Sequence, residues 1–146
     1  MKSKMIITPE QIIRTLQSAV EAGNQAANKE MERLLDLAKL HNDPSLCHTE
    51  CGGSYIFVKI DRRTADGRVF ASLIQKNSCD FFTIREANYD ARHGSGFIIN
   101  LNYGYIVNPP LNPQSKTIIQ AANFAAANLI SMQLQNITCH PVNYTD

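Results

Sequence analysis

The residues best suited to chemistry lie around Arg85 and in the polar segment 86–96 that follows it. Together they supply planar donors, an aromatic ring, an imidazole and a glycine-flanked turn: Arg85, Tyr89, Arg92, His93, Gly94, Ser95 and Gly96. Arginine binds phosphate through paired N–H donors, and the backbone N–H groups of a tight turn can cup an anion. Phe82 or Tyr89 would stack on a base. The segment predicts a site for a small anionic or nucleotide-like ligand, although an ordinary solvated loop explains the same residues.

Two further arginines flank a turn earlier in the chain. Asp66-Gly67 is a strong hairpin signal between two β-branched, aromatic runs. Arg62 and Arg68 lie on either side of it, so they are candidates to join Arg85 at the ligand. The competing interpretation is a solvated turn in which these charges only face water.

The cysteines and histidines allow a zinc site on paper. Cys47 and Cys51 are four residues apart, and Cys139-His140 would complete a set of four ligands. Adjacent residues rarely point at one ion, however. We therefore favour reduced thiols that pack as small apolar residues, and we assign neither a metal nor any other cofactor.

Known catalytic motifs do not occur. Ser95 is not in a G-x-S-x-G elbow, and the chain has no P-loop, no G-x-G-x-x-G and no H-E-x-x-H. No catalytic residue is assigned, and a non-enzymatic function is favoured.

The first element that must position these residues is a long N-terminal helix. Thr8, Pro9 and Gln11 form a helix start of the capping-box kind, and an apolar stripe continues to Leu40. An unbroken helix over 9–40 would be roughly 48 Å long, longer than a compact domain of this size is wide. Either it breaks at Gly23-Asn24 or it overhangs and buries its far end against a partner. We favour the overhang.

Four strands are predicted after the helix, at 54–60, 69–74, 81–85 and 97–103. They predict an antiparallel meander within 53–103. An alanine-rich helix follows within 113–136, and an irregular tail occupies 137–146. With the helix and loop of 1–45, the pattern predicts one α+β domain of 146 residues in which both helices pack on one face of the sheet.

Charge is scarce and unevenly distributed. Charged residues make up 18% of the chain, with a formal net charge of +1, and only Lys116 and Asp146 are charged within 93–146. Roughly 25% is usual, so the uncharged region predicts surface covered by the first helix, by a second copy, or by both. No segment predicts a membrane span or a secretory signal, which favours a cytoplasmic protein. Nucleic acid is not an expected partner, because acids nearly balance bases and Lys116 stands alone at the start of the last helix.

These observations favour a non-enzymatic, homo-oligomeric binding protein for a small anionic or nucleotide-like ligand. A protein-interaction or inhibitor module that acts through its helices is the alternative. A small zinc protein or hydrolase is a weaker one.

Overall fold

The fold is that of a computed structural model, which describes residues 7–47, 51–74, 81–88, 95–112, 115–134 and 137–145. Three helices and four strands lie along these residues. The helices are α1 (Pro9–Leu40), α2 (Ala65–Ile74) and α3 (Lys116–Gln133), and the strands are β1 (Gly52–Lys59), β2 (Phe82–Asn88), β3 (Ser95–Leu101) and β4 (Thr138–Thr145). A single 3₁₀ turn, Pro44–Cys47, follows α1. None of the described helices is both long and apolar enough to cross a bilayer.

The predicted α+β architecture is confirmed: a long N-terminal helix, four antiparallel strands in one open sheet, and a C-terminal helix packed on that sheet. The predicted antiparallel meander is wrong. The strand order is β2-β3-β1-β4, and only β2 and β3 pair as sequence neighbours. Because β3 separates β1 from β2, these two strands run parallel and α2 crosses between them. In the same way α3 joins β3 to β4 across β1, so β1–β4 form the doubly split βαβ arrangement known as ferredoxin-like.

The predicted strand over 69–74 is wrong, because that run belongs to α2. Thr64 caps this helix: its Oγ1 accepts the Gly67 N–H at 3.1 Å. Gly67, Phe70 and Leu73 then recur every three residues and are buried on one face. Asp66-Gly67 is accordingly the first turn of a helix and not the tip of a hairpin.

The irregular tail is also wrong, because 138–145 form strand β4. All eight of its residues pair with β1, from Gly52↔Thr145 to Lys59↔Thr138. Pro141 argues against a central strand, but β4 lies at the edge of the sheet, where one missing N–H is tolerated. The pairing partner, 79 or more residues earlier in the chain, decides this element.

The core fills the space between the sheet and the helices. Val58 of β1 and Phe97 of β3 are fully buried on the helix side, where Phe97 stacks on Phe70 of α2 with ring centroids 5.7 Å apart. Ile130 of α3 and Leu16 of α1 complete this cluster. The three helices therefore share one apolar core on a single face of the sheet.

Helix α1 is unbroken from Pro9 to Leu40, and the predicted capping box is present: the Thr8 hydroxyl accepts the Gln11 N–H at 3.2 Å while the Gln11 side chain accepts the Thr8 N–H at 2.9 Å. Gly23-Asn24 does not end the helix; the segment 103–105 docks there. The Tyr103 ring lies against Gly23, and Asn24 Oδ1 accepts the N–H groups of Gly104 and Tyr105 at 2.7 and 3.2 Å.

One side of the far half of α1 is buried by the chain itself. Met31 and Leu34 pack with Leu111 from the segment before α3, and with Ile118 and Ala122 of α3. Leu35 and Leu40, on the other side of this half, are exposed, at 40% and 78%. Part of the uncharged region 93–146 is thus covered by α1. Cover by the first helix is one of the alternatives that the scarcity of charge predicted.

A partly buried carboxylate in the second half of α1 gives a pH-dependent contribution to stability. Arg33 binds both carboxylate oxygens of Glu30, at 2.7 and 2.8 Å, and the Glu30 side chain is only 13% exposed. The hydrogen bonds from Arg33 hold the pKa of Glu30 below its usual value of 4.5, against the opposing effect of burial. Since the folded-state pKa is the lower one, the stabilisation is complete above the unfolded-state pKa and is lost as the pH falls through the folded-state value.

We expect Glu30→Gln to lower the free energy of unfolding by roughly 0.5–1 kcal/mol at pH 7, because Arg33 itself is largely exposed. Below about pH 4 the difference from the unaltered protein should shrink towards zero. Urea denaturation across this pH range measures it, with Glu21→Gln on the exposed side of the same helix as control. An equal loss at pH 7 and pH 3 would contradict the ion-pair explanation.

Candidate functional site

A basic cleft of about 360 Å³ lies where β1 ends and β3 begins. Its lining residues come from the last position of β1, the turn after it and the first position of β3: Lys59, Ile60, Asp61, Arg62, Arg63 and Ser95. Lys59 and Gly96 are cross-strand partners, so the pairing of β1 with β3 brings the turn and Ser95 together. Two of the predicted ligand-binding residues, Arg62 and Ser95, therefore meet in one cleft although they are far apart in the sequence.

The turn that carries the cleft is held by its own hydrogen bonds. Asp61 accepts the Arg63 N–H on its carboxylate at 2.9 Å, and the Asp61 carbonyl accepts both the N–H and the hydroxyl of Thr64, at 3.1 and 2.6 Å. Thr64 in turn caps α2. The positions of Arg62 and Arg63 are thus fixed by the end of β1 on one side and by the start of α2 on the other.

Cations outnumber carboxylates at the cleft. Arg62 Nη1 pairs with Glu86 Oε2 at 2.9 Å, and Arg63 pairs with Asp61 at 3.1 Å. Hydrogen bonds from Arg63 lower the pKa of Asp61, so this carboxylate stays ionised near neutral pH and is no proton donor. Among the described residues, none forms an ion pair with Lys59. Lys59 therefore supplies the excess positive charge.

Arg85 lies outside the cleft, on the face of the sheet opposite the helices. We call this face the open side. Its row across the strands is Arg85–Ile98–Phe57–His140, and the Phe57 and His140 rings lie 5.6 Å apart. Glu86, the partner of Arg62, is the next residue and faces the helix side. Arg85 therefore does not line the cleft that Arg62 lines.

Lys59 and Arg85 share the open side. They are two rows and two strand spacings apart, which places their Cα atoms roughly 12 Å from each other. In the described strands no acidic residue occupies an open-side position: these positions are 53, 55, 57, 59, 83, 85, 87, 96, 98, 100, 138, 140, 142 and 144. The electrostatic potential beside the cleft is therefore positive on this face as well.

The centre of the open side is not a stacking platform. Phe57 and Ile98 are buried, at 0% and 3% exposure, and pack with Ala87. A ligand would meet the surrounding side chains and not these apolar ones.

Other predicted site residues lie elsewhere. Phe82 is buried on the helix side, with its ring 5.0 Å from that of Phe81, so its expected stacking on a ligand base is wrong. Arg68 is exposed on α2 and does not line the cleft. Gly96 pairs with Lys59, and its missing side chain leaves room for the Val58 carbonyl oxygen. Tyr89, Arg92, His93 and Gly94 are outside the described residues.

Sequence reasoning missed Lys59 and Arg63 as site residues. A signal for Lys59 was present, because strict alternation along β1 places it on the opposite face from buried Val58, directly before the turn. No local signal identified Arg63, since only the turn geometry separates it from Arg62.

Strand register separates the proposed zinc ligands. Cys139 lies opposite Val58 near the end of β1, whereas Cys51 immediately precedes that strand, roughly 23 Å away. Cys139 packs in the core, where burial raises the pKa of its thiol to about 12. It therefore behaves as a small apolar residue. The side chain of Cys47 is outside the described part of the chain, within which no three histidine, cysteine or acidic side chains form a metal-sized group.

The fold and the cleft together define an α+β chain of split βαβ topology with a basic, anion-sized cleft at one end of its sheet. Comparisons with protein-family models, with curated proteins and with solved structures returned no match. Because folds of this kind occur with many unrelated functions, only the residues of the cleft indicate what this chain binds.

Proposed function

We propose that this chain is a non-enzymatic binding protein that holds a small anionic or nucleotide-like ligand in the basic cleft. The observation that supports it is the excess of cations over carboxylates around a volume of about 360 Å³, in which Lys59 has no described counter-ion. Ligand pockets begin at roughly 300 Å³, so the cleft suits a phosphate group with a small attached body.

Each cleft residue has a role in this proposal. Lys59 supplies a point charge to the anion, and the Ser95 hydroxyl donates a hydrogen bond. Arg62 and Arg63 are already held by Glu86 and Asp61, which keeps their guanidinium groups in place at the rim. Arg85, on the same face as Lys59, would contact only a ligand that extends over the open side.

A cytoplasmic location is part of the proposal. Cys139 is a free, buried thiol, which a reducing compartment maintains.

The test is a calorimetric titration with inorganic phosphate, AMP and ATP at low salt. We expect at least one of these to bind, and Lys59→Met to weaken it about tenfold, because a charge-assisted hydrogen bond is worth roughly 1.5 kcal/mol. Ser95→Ala should weaken binding by a smaller factor. Lys39→Met, an exposed lysine at the far end of α1, is the matched control and should change nothing.

Arg85→Met reports how far the ligand extends. It should weaken ATP more than phosphate if the ligand reaches the open side, and should affect neither if the ligand is confined to the cleft. The proposal fails if none of the three probes binds at millimolar concentration, or if Lys59→Met and Lys39→Met bind equally well.

A further inference from the structure

Glu86 lies beside the basic cleft without lining it. Its Oε2 accepts a hydrogen bond from Arg62 Nη1 at 2.9 Å, and Arg62 is a lining residue. Glu86 pairs with Phe97 across β2 and β3, two rows from the pair of Asn88 with Ser95, so its Cα atom is roughly 8 Å from that of Ser95 on the same face of the sheet. Charges interact over about 10 Å at an ionic strength of 0.1 M. The Glu86 carboxylate therefore acts on any anion held in the cleft.

The charges at the cleft leave an excess of one positive charge. Within the described residues the cations that line it are Lys59, Arg62 and Arg63. Two carboxylates oppose them: Asp61, which lines the cleft and pairs with Arg63, and Glu86, which pairs with Arg62. Three cations stand against two carboxylates, so a ligand with one negative charge brings the site to neutrality.

The charges of neighbouring elements do not change this balance. Asp66 and Arg68 of the adjoining helix α2 are of opposite sign, and neither lines the cleft. Arg85 lies on the open side with its Cα atom roughly 12 Å from that of Lys59, which is beyond the screening length of about 10 Å at 0.1 M salt.

The arginine donors at the cleft are also partly occupied. Arg63 donates from both Nε and Nη2 to the Asp61 carboxylate, at 3.1 Å each. This edge of the guanidinium is the one with which an arginine binds two oxygens of a phosphate. Lys59 and Ser95 are the lining donors that no carboxylate of the described chain engages. Two such donors match the two free oxygens of a phosphodiester better than the three of a phosphate monoester.

We propose that the ligand of the cleft is a small, singly charged phosphodiester, and that Glu86 is the residue that disfavours doubly charged phosphate monoesters. This inference rests on the proposed ligand-binding function and names the class of ligand. Attraction to the cleft grows in proportion to the ligand charge, whereas the cost of removing an anion from water grows with the square of that charge. A cleft with one excess positive charge therefore favours the monoanion.

Replacing Glu86 by glutamine isolates this effect. Glu86→Gln preserves the size of a side chain that is 56% exposed, so the fold should be retained. It adds one positive charge to the balance. The added charge acts twice as strongly on a dianion as on a monoanion, so the factor gained by the dianion is the square of the factor gained by the monoanion.

Calorimetric titration with AMP and cyclic AMP at pH 8 and 0.1 M salt tests the proposal, because these probes share a base and a ribose and differ in charge. The terminal phosphate of AMP is doubly charged at this pH, since its second pKa is about 6, whereas cyclic AMP carries one charge. We expect cyclic AMP to bind the unaltered protein more tightly than AMP. Glu86→Gln should then strengthen cyclic AMP about threefold and AMP about tenfold. Dimethyl phosphate and inorganic phosphate, a second pair without a base, should follow the same order.

Glu32→Gln, exposed on the far half of α1, is the matched control and should change neither affinity. Lys59→Met removes the excess charge and should weaken AMP by a larger factor than cyclic AMP. The inference alone is overturned if AMP binds the unaltered protein more tightly than cyclic AMP, or if Glu86→Gln changes both affinities by one factor. Absence of binding by all four compounds at millimolar concentration overturns the proposed function as well.

Discussion

Gly96→Ala is expected to lower the free energy of unfolding by about 3 kcal/mol, the upper part of the range for overpacking. A Cβ atom at position 96 would collide with the Val58 carbonyl oxygen and come within 3.0 Å of the Phe57 ring. Val58 belongs to β1, which pairs on both sides with other strands, so its carbonyl cannot move without disturbing two ladders. Urea denaturation followed by circular dichroism measures the loss.

Ser95→Ala is the matched control, one residue away at an exposed position of the same strand. It should change stability by no more than about 0.5 kcal/mol. It should instead weaken ligand binding at the cleft, which Ser95 lines. If Gly96→Ala unfolds at the same urea concentration as the unaltered protein, the close approach of β1 and β3 at this point is not as described.

The second large effect is expected at Gly23, where alanine should destabilise the protein by about 2 kcal/mol. In an ordinary helix the same substitution stabilises by roughly 1 kcal/mol, so the expected sign is reversed. The Tyr103 ring occupies the space that a Cβ atom would need. The ring cannot easily withdraw, because the Tyr103 hydroxyl donates to Asn123 Oδ1 at 2.5 Å and Tyr105 stacks on it at 5.9 Å.

Two comparisons isolate this cause. Asn28→Ala, exposed on the same helix, should stabilise by a few tenths of a kcal/mol through helix propensity alone. In a Tyr103→Ala background, Gly23→Ala should also become stabilising, because the ring is gone. The measurement is the denaturant midpoint of Gly23→Ala, Asn28→Ala, Tyr103→Ala and the double variant Gly23→Ala/Tyr103→Ala. A Gly23→Ala single variant more stable than the unaltered protein would contradict the docking of Tyr103 on α1.

Elements with strong local signals were predictable from the sequence. Helix α1 is one: a capping box, a proline in its first turn and an apolar stripe specify its start and its course, and the helix runs over 9–40 as expected. The first strand and the last helix were also located by local pattern. Where the local pattern was ambiguous, prediction failed. The apolar run over 69–74 suits a strand or a short helix, and the cap at Thr64 decides for the helix.

The candidate site was predictable only in part. Arg62 and Ser95 were both proposed as ligand-binding residues, but nothing in the sequence said that they line one cleft or that Lys59 lines it with them. Phe82 and Arg85 were proposed together, yet they face opposite sides of the sheet. Alternation along β2 alone separates them, because residues an odd number of positions apart in a strand lie on opposite faces. Only the tertiary structure shows that the Phe82 side is the one that packs in the core.

By itself, the sequence determined the properties that depend on neighbours along the chain: the bounds of α1, the α+β class, and the concentration of charge before residue 93. Tertiary structure alone decided the strand order, the pairing that makes 138–145 a strand, and the contacts of Gly23 and Gly96. The physical reason is the distance along the chain over which each interaction acts. Helix caps and periodicity act over a few residues, whereas strand pairing and close approach join residues up to 93 positions apart, as in Gly52↔Thr145, and leave little local trace.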